Sequence, residues 1–259
     1  MPTITLKETP CFYTGHDLDA SRTLVCIHGA GSDQTIWPSN LSQLADCNLY
    51  SLDLPGHGRS GGKAMDRVED YAAWVDDFVS AIDARRVVLI GHSMGAAIAL
   101  TLGLARPVWL EAMVLIGCGP RLPVSPMLRR LMQEDHGEAV EQMATSIFSS
   151  MTSPALVTRF REQGRAVDPT VWQRDFDACD HFDLRDRLGE IPQRSLILSG
   201  DCDRMTPLPE AQMLEDGMRD ARLAVIAPAG HMLPLEQPAD MLAAVQRFLV
   251  SPAAPPERH

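Results

Sequence analysis

Six short apolar runs recur along the chain, and glycine or proline soon follows each of them. They occupy 23–27, 49–53, 86–90, 112–116, 195–199 and 222–226. Within a run such as Arg86-Val87-Val88-Leu89-Ile90, apolar residues follow one another without polar alternation. Strands of that kind are buried on both faces, which points to a parallel sheet. Between the runs the period changes. Over 68–82, Tyr71, Trp74, Val75, Phe78, Val79 and Ile82 recur at helical spacing. The stretch 94–104 is rich in Ala and Leu, and Met241, Leu242, Val245, Phe248 and Leu249 repeat the helical pattern near the C-terminus. Strand–helix alternation predicts an α/β fold, a doubly wound and mostly parallel sheet.

One interval breaks this rhythm. From 120 to 187 no run reads as a strand; 127–132, 139–148, 155–160 and 171–178 read as short helices. The expectation is an all-helical lid at 120–187 inserted into a core made of 1–119 and 188–250, with a flexible Pro/Ala-rich tail at 251–259. Within the insertion, Asp175 to Asp183 is acidic and aromatic and reads as a helix end with carboxylates in solvent.

Composition narrows the function. The 259 residues carry 23 Lys+Arg against 34 Asp+Glu, a net charge of −11, with no basic run. An acidic surface repels phosphate backbones, so nucleic acid is excluded as a partner. No stretch has the length and apolarity of a membrane span, and no stable membrane insertion is expected. The N-terminus lacks a charged region followed by an apolar one, and the six cysteines form no CxxC pair. Reduced thiols and a cytoplasmic location follow as expectations. Oligomeric state is left open.

The chemistry sits at the ends of the apolar runs. Gly91-His92-Ser93-Met94-Gly95 follows one strand and opens the Ala-rich helix, which is the context of a G-x-S-x-G nucleophile elbow. A serine hydroxyl is a poor nucleophile at neutral pH and needs a base. Of eight histidines, His231 is the one that stands at the end of the last strand, in the order Ser, acid, His. The acid lies in Gly200-Asp201-Cys202-Asp203, as either Asp201 or Asp203. His28-Gly29-Ala30-Gly31 follows the first buried run, so the Ala30 and Met94 amides are candidate oxyanion donors. The turn-rich Asp53 to Ser60 reads as structural. The glycines at 29 and 31 lack the third member of a dinucleotide fingerprint, and no metal motif is present; no cofactor or metal is implied.

Together these motifs resemble the α/β-hydrolase superfamily, in its lid-bearing, esterase-like branch. In that family the acid lies in a Gly-x-x-Asp loop followed by Pro, which makes Asp203 the implied acid ahead of Asp201. The resemblance implies a carboxylic ester hydrolase that acts on small to medium, largely apolar small-molecule substrates through an acyl-enzyme on Ser93. Trp37, Cys118, Met127, Leu128, Met132 and Met232 are candidate pocket residues. The same triad serves C–C bond hydrolases, thioesterases, lactonases and lyases, and a non-catalytic ligand receptor on this fold is the contrasting class.

Overall fold

The computed structural model describes residues 3–44 and 46–251. The expected flexible tail lies outside the described residues apart from Ser251. Eight strands form one sheet: β1 Thr3–Leu6, β2 Thr9–His16, β3 Arg22–Ile27, β4 Cys47–Leu52, β5 Val87–His92, β6 Leu110–Ile116, β7 Arg194–Gly200 and β8 Ala221–Ile226. Their order is β1-β2-β4-β3-β5-β6-β7-β8, and every pairing from β4 to β8 is parallel. These six parallel strands are the six apolar runs, displaced by at most two residues at an end.

The antiparallel pair β1 and β2 has no counterpart in the expectations. Its two-residue turn is Lys7-Glu8, with φ of 45° and 68°. Left-handed hairpin turns normally advertise themselves as Asn-Gly or Asp-Gly. Here charged residues hold that conformation, and Pro10 lies within β2, a position that argues against a strand.

Alternate strand residues feed opposite core layers. Val25, Ile27, Leu89 and Leu115 pack with helices α1 (Val68–Ala81) and α2 (Met94–Ala105). Leu24, Cys26, Ile90 and Val114 pack on the other face with residues of a C-terminal helix, Pro238–Val250. This double burial is why the runs show no alternation.

Between β6 and β7 come four helices: α3 Pro126–Glu134, α4 His136–Ile147, α5 Pro154–Ala166 and α6 Pro169–His181. Their starts are written locally. Pro opens α3, α5 and α6, while the Asp135, Ser153 and Asp168 side chains cap α4, α5 and α6. Met132, Val140, Met143, Trp172 and Phe176 give the insertion its own small core. Its neck closes where Arg121 and Asp183 form an antiparallel bridge. The insertion is not detached from the core, because α6 also packs on α1 and α2. Among the described residues the remaining α-helices are α7 Leu208–Gly217, the single turn α8 Leu233–Glu236, and α9, the C-terminal helix already placed.

All six cysteines are free. Among the described residues, no helix is long and apolar enough to cross a membrane.

Candidate active site

The site is assembled at the C-terminal ends of the parallel strands. Ser93 joins β5 to α2 with φ 54° and ψ −117°, a strained conformation for a residue with a side chain. Strain of this kind persists only where the surroundings over-determine it, and here they do. The Ser93 N–H donates to Ile116 O at 2.8 Å, and the Ser93 carbonyl accepts from the Ala96 and Ala97 amides. Gly95 lets the helix approach β3: a Cβ there would lie 2.1 Å from Ile27 O. Gly95→Ala is therefore expected to destabilise the fold by roughly 1–3 kcal/mol or more, because the clash is with backbone that cannot swing aside. Urea unfolding measures this; a midpoint equal to wild type would mean the elbow tolerates a side chain.

Two carboxylates competed for the role of acid, and the structure separates them. Asp203 Oδ2 accepts from His231 Nδ1 at 2.8 Å, whereas Asp201 Oδ1 is taken by the Ala229 amide. Asp203 is itself tightly held. Its Oδ1 accepts from the Met205 and Thr206 amides, and Thr206 Oγ1 donates to its Oδ2. Burial raises the Asp203 pKa, but the adjacent His231 and these hydrogen bonds outweigh it, and the net displacement is downward. With Nδ1–H committed to the carboxylate, Nε2 of His231 is left with a free lone pair.

His231 is fixed from both sides of its backbone. Its N–H donates to Ile147 O at the end of α4, and its carbonyl accepts from His92 Nε2 at 2.8 Å. His92 is fully buried, and burial beside His231 pushes its pKa down to about 3, so it is a neutral donor. Ser93 and His231 line the same cavity, and no hydrogen bond joins their side chains. Long approaches between such groups are common before a substrate draws them together.

The amides expected to bind an oxyanion are unoccupied by protein. Among the described residues neither the Ala30 nor the Met94 N–H has an acceptor, and Met94 is the first residue of α2. His28 shapes the Ala30 turn: it accepts the Leu54 amide at Nε2 and donates Nδ1–H to Gly29 O at 2.8 Å. Burial pushes the His28 pKa down to about 3, which keeps it neutral for this pair of roles.

The cavity is about 920 Å³ and lies between the strand ends and the helical insertion. Met127, Leu128 and Met232 line it. Trp37, Cys118 and Met132 do not. Trp37 packs with Leu41 in the layer that contains α9, Cys118 lies in the layer beneath α2, and Met132 faces the insertion's own core. An apolar residue near a strand end serves the core or the cavity equally well by composition, and only its direction decides. The wall also includes Met143, Phe160, Trp172 and Phe176, which sequence reasoning missed. Among the described residues no group of three or more His, Cys, Asp or Glu side chains is arranged to hold a metal ion.

The acidic segment differs from the expectation. Asp177 and Asp180 pair with Arg129, and Asp183 with Arg185, at the surface. Asp175 is not in solvent; it is 0% exposed. A signal was present: Asp175 shares one helical face with Val171, Trp172, Ala178 and Cys179. A carboxyl on an apolar stripe requires partners across the interface. One partner is His57 at 2.8 Å. Burial lowers the His57 pKa, yet Asp175 and the Pro55 carbonyl raise it on balance. Asp53, by contrast, is structural as expected, accepting the Gln34 and Arg59 amides.

The fold and the elbow define a hydrolase of the α/β class, and the chain matches the alpha/beta hydrolase family over residues 24–245. It belongs to that family. It is 28% identical to a 2-hydroxymuconate semialdehyde hydrolase of Pseudomonas sp. (strain CF600), over 90% of this chain and 89% of the relative. It is 23% identical to a pimeloyl-[acyl-carrier protein] methyl ester esterase of Nitrosomonas europaea, over 80% and 88% of the two chains. Its backbone superposes on a thermophilic esterase with a TM-score of 0.85, at 28% identity and 96% coverage of both chains.

Proposed function

We propose that the protein hydrolyses carboxylic esters through an acyl-enzyme on Ser93. The observation that carries this reading is the buried Asp203–His231 pair at 2.8 Å opening onto the cavity that also holds the strained Ser93. Ser93 Oγ attacks the ester carbonyl carbon and gives its proton to His231 Nε2. The Ala30 and Met94 amides hold the oxyanion. As the tetrahedral species collapses, His231 returns the proton to the departing alkoxide oxygen, and an alcohol leaves. Water then attacks the acyl carbon, with His231 again taking and returning the proton, and a carboxylic acid is released. The apolar wall of Trp172, Phe176, Phe160 and Met143 suits a medium-sized acyl chain. The insertion acts as the lid of that cavity, and the triad and the donor amides need no cofactor.

A second reading has its own support. The relative from Pseudomonas is a semialdehyde hydrolase, and Arg121, Arg159 and Arg204 line the cavity, which favours an anionic substrate cleaved at a C–C bond. One panel separates the two: p-nitrophenyl esters of two to eight acyl carbons against 2-hydroxy-6-oxo-dienoates. The expected outcome is turnover of the esters, abolished in Ser93→Ala. Turnover of the dienoates alone replaces ester hydrolysis with C–C cleavage. Failure of both, with no fluorophosphonate labelling of Ser93, replaces the enzyme with a receptor.

A further inference from the structure

The insertion does more than cover the cavity: it holds the core at the two loops that the proposed chemistry uses. One contact is the Ile147 carbonyl on the His231 amide. The other is Asp175. Its Oδ2 accepts the Gly31 N–H at 2.7 Å and His57 Nε2 at 2.8 Å, and its Oδ1 accepts the Tyr71 hydroxyl at 2.6 Å. These partners come from three separate parts of the core: the turn after β3, the turn after β4, and α1. Two of these partners are anchored in turn. The Tyr71 oxygen accepts the Met65 amide, and His57 Nδ1–H donates to Pro55 O.

The Gly31 contact matters because of where that amide lies. Ala30 N–H and Gly29 C=O belong to one trans peptide and point in opposite directions. His28 holds the Gly29 oxygen, which turns the Ala30 N–H away from His28. Asp175 holds the next peptide through the Gly31 N–H. With both peptide planes tied, the Ala30 amide has one direction. Gly31 makes this approach possible: its φ is +58°, and a Cβ on it would fall 2.3 Å from the Trp172 indole, also on α6.

We propose that Asp175 is a positioning residue, through which the helical insertion aims the Ala30 amide at the substrate oxyanion. This rests on the reading of Ser93 as nucleophile and Ala30 as donor. It makes docking of α6 a condition of catalysis and not only of substrate enclosure. Asp175→Asn keeps the shape but leaves a single acceptor oxygen for the three donors that the two carboxylate oxygens now satisfy.

The test uses the full chain and the variants Asp175→Asn and His57→Gln. Active sites are counted by stoichiometric fluorophosphonate titration, so that misfolded protein is removed from the rate. With a p-nitrophenyl ester, Asp175→Asn is expected to lower kcat per titrated site about 10- to 100-fold, with KM within about threefold of wild type. The second-order rate of phosphonylation, which also places charge in the oxyanion site, is expected to fall in parallel. His57→Gln leaves the carboxyl on Gly31 but removes a neighbour that orients it, and a smaller loss of the same kind is expected; it serves where Asp175→Asn does not fold. Wild-type kcat per site and wild-type phosphonylation in a folded variant, with only a lower Tm, overturn the proposal and leave Asp175 as a structural anchor. If the wild-type protein itself neither turns over esters nor takes the phosphonate on Ser93, the nucleophile reading falls and this proposal falls with it.

Discussion

His231→Ala is expected to lower kcat for p-nitrophenyl esters on the order of 10⁶-fold, and Ser93→Ala by about the same factor. The two changes are not expected to multiply. Once the base is gone the serine hydroxyl is an ordinary alcohol, and once the serine is gone the base has no proton to take. The double variant should therefore be about as slow as either single one, with a residual rate supplied by the Ala30 and Met94 amides and by binding. The fold should survive. Removal of the His231 ring leaves Asp203 with three other donors, the Met205 and Thr206 amides and the Thr206 hydroxyl. A cost of about 1–3 kcal/mol is expected for the lost partner. Steady-state kinetics beside urea unfolding would measure both quantities. A His231→Ala protein within tenfold of wild type would show that another group serves as base.

Asp203→Asn should reveal the role of the acid through its hydrogen-bond directions. The two backbone amides on Oδ1 require an acceptor there. Asn must place its oxygen at that position and its NH₂ toward His231 Nδ1, where Oδ2 now lies at 2.8 Å. An amide donor facing Nδ1 forces the ring proton onto Nε2, which removes the lone pair that takes the Ser93 proton. A loss of roughly 10⁴-fold in kcat is expected, with little change in KM. Asp201→Asn, whose partner is the Ala229 amide, should stay near wild type, because an amide oxygen still accepts that bond. The reverse ranking would move the acid to 201.

The same pair sets a pH dependence. The folded-state pKa of Asp203 is depressed, by His231 and the Thr206 donors against the opposing effect of burial. A depressed acid contributes stability above its ordinary unfolded pKa, and loses that contribution as pH falls through its folded value. The acid limb of the wild-type stability curve should therefore flatten in Asp203→Asn.

How much of this was legible beforehand depends on whether a feature is local. The six parallel strands, the helices from 126 to 181 and the elbow at Ser93 are written in runs of five to fifteen residues. Double burial, helical period, Pro and Asp at helix starts, and Gly95 where a backbone presses close all act over such distances. The hairpin of β1 and β2 escaped because Lys7 and Glu8 take a turn usually given to Asn and Gly.

Matters of direction across the fold were decided only by the assembled tertiary structure. The amino-acid sequence determined that two aspartates stand near residue 200, that an Asp lies on the apolar face of α6, and that large apolar residues cluster near the strand ends. Packing then turned Asp203 toward His231, drove Asp175 against Gly31, His57 and Tyr71, and sent Trp37, Cys118 and Met132 into core layers. The reason is physical: these partners are brought together by helices and strands closing over one another, and a buried polar group takes whichever donor that closure presents.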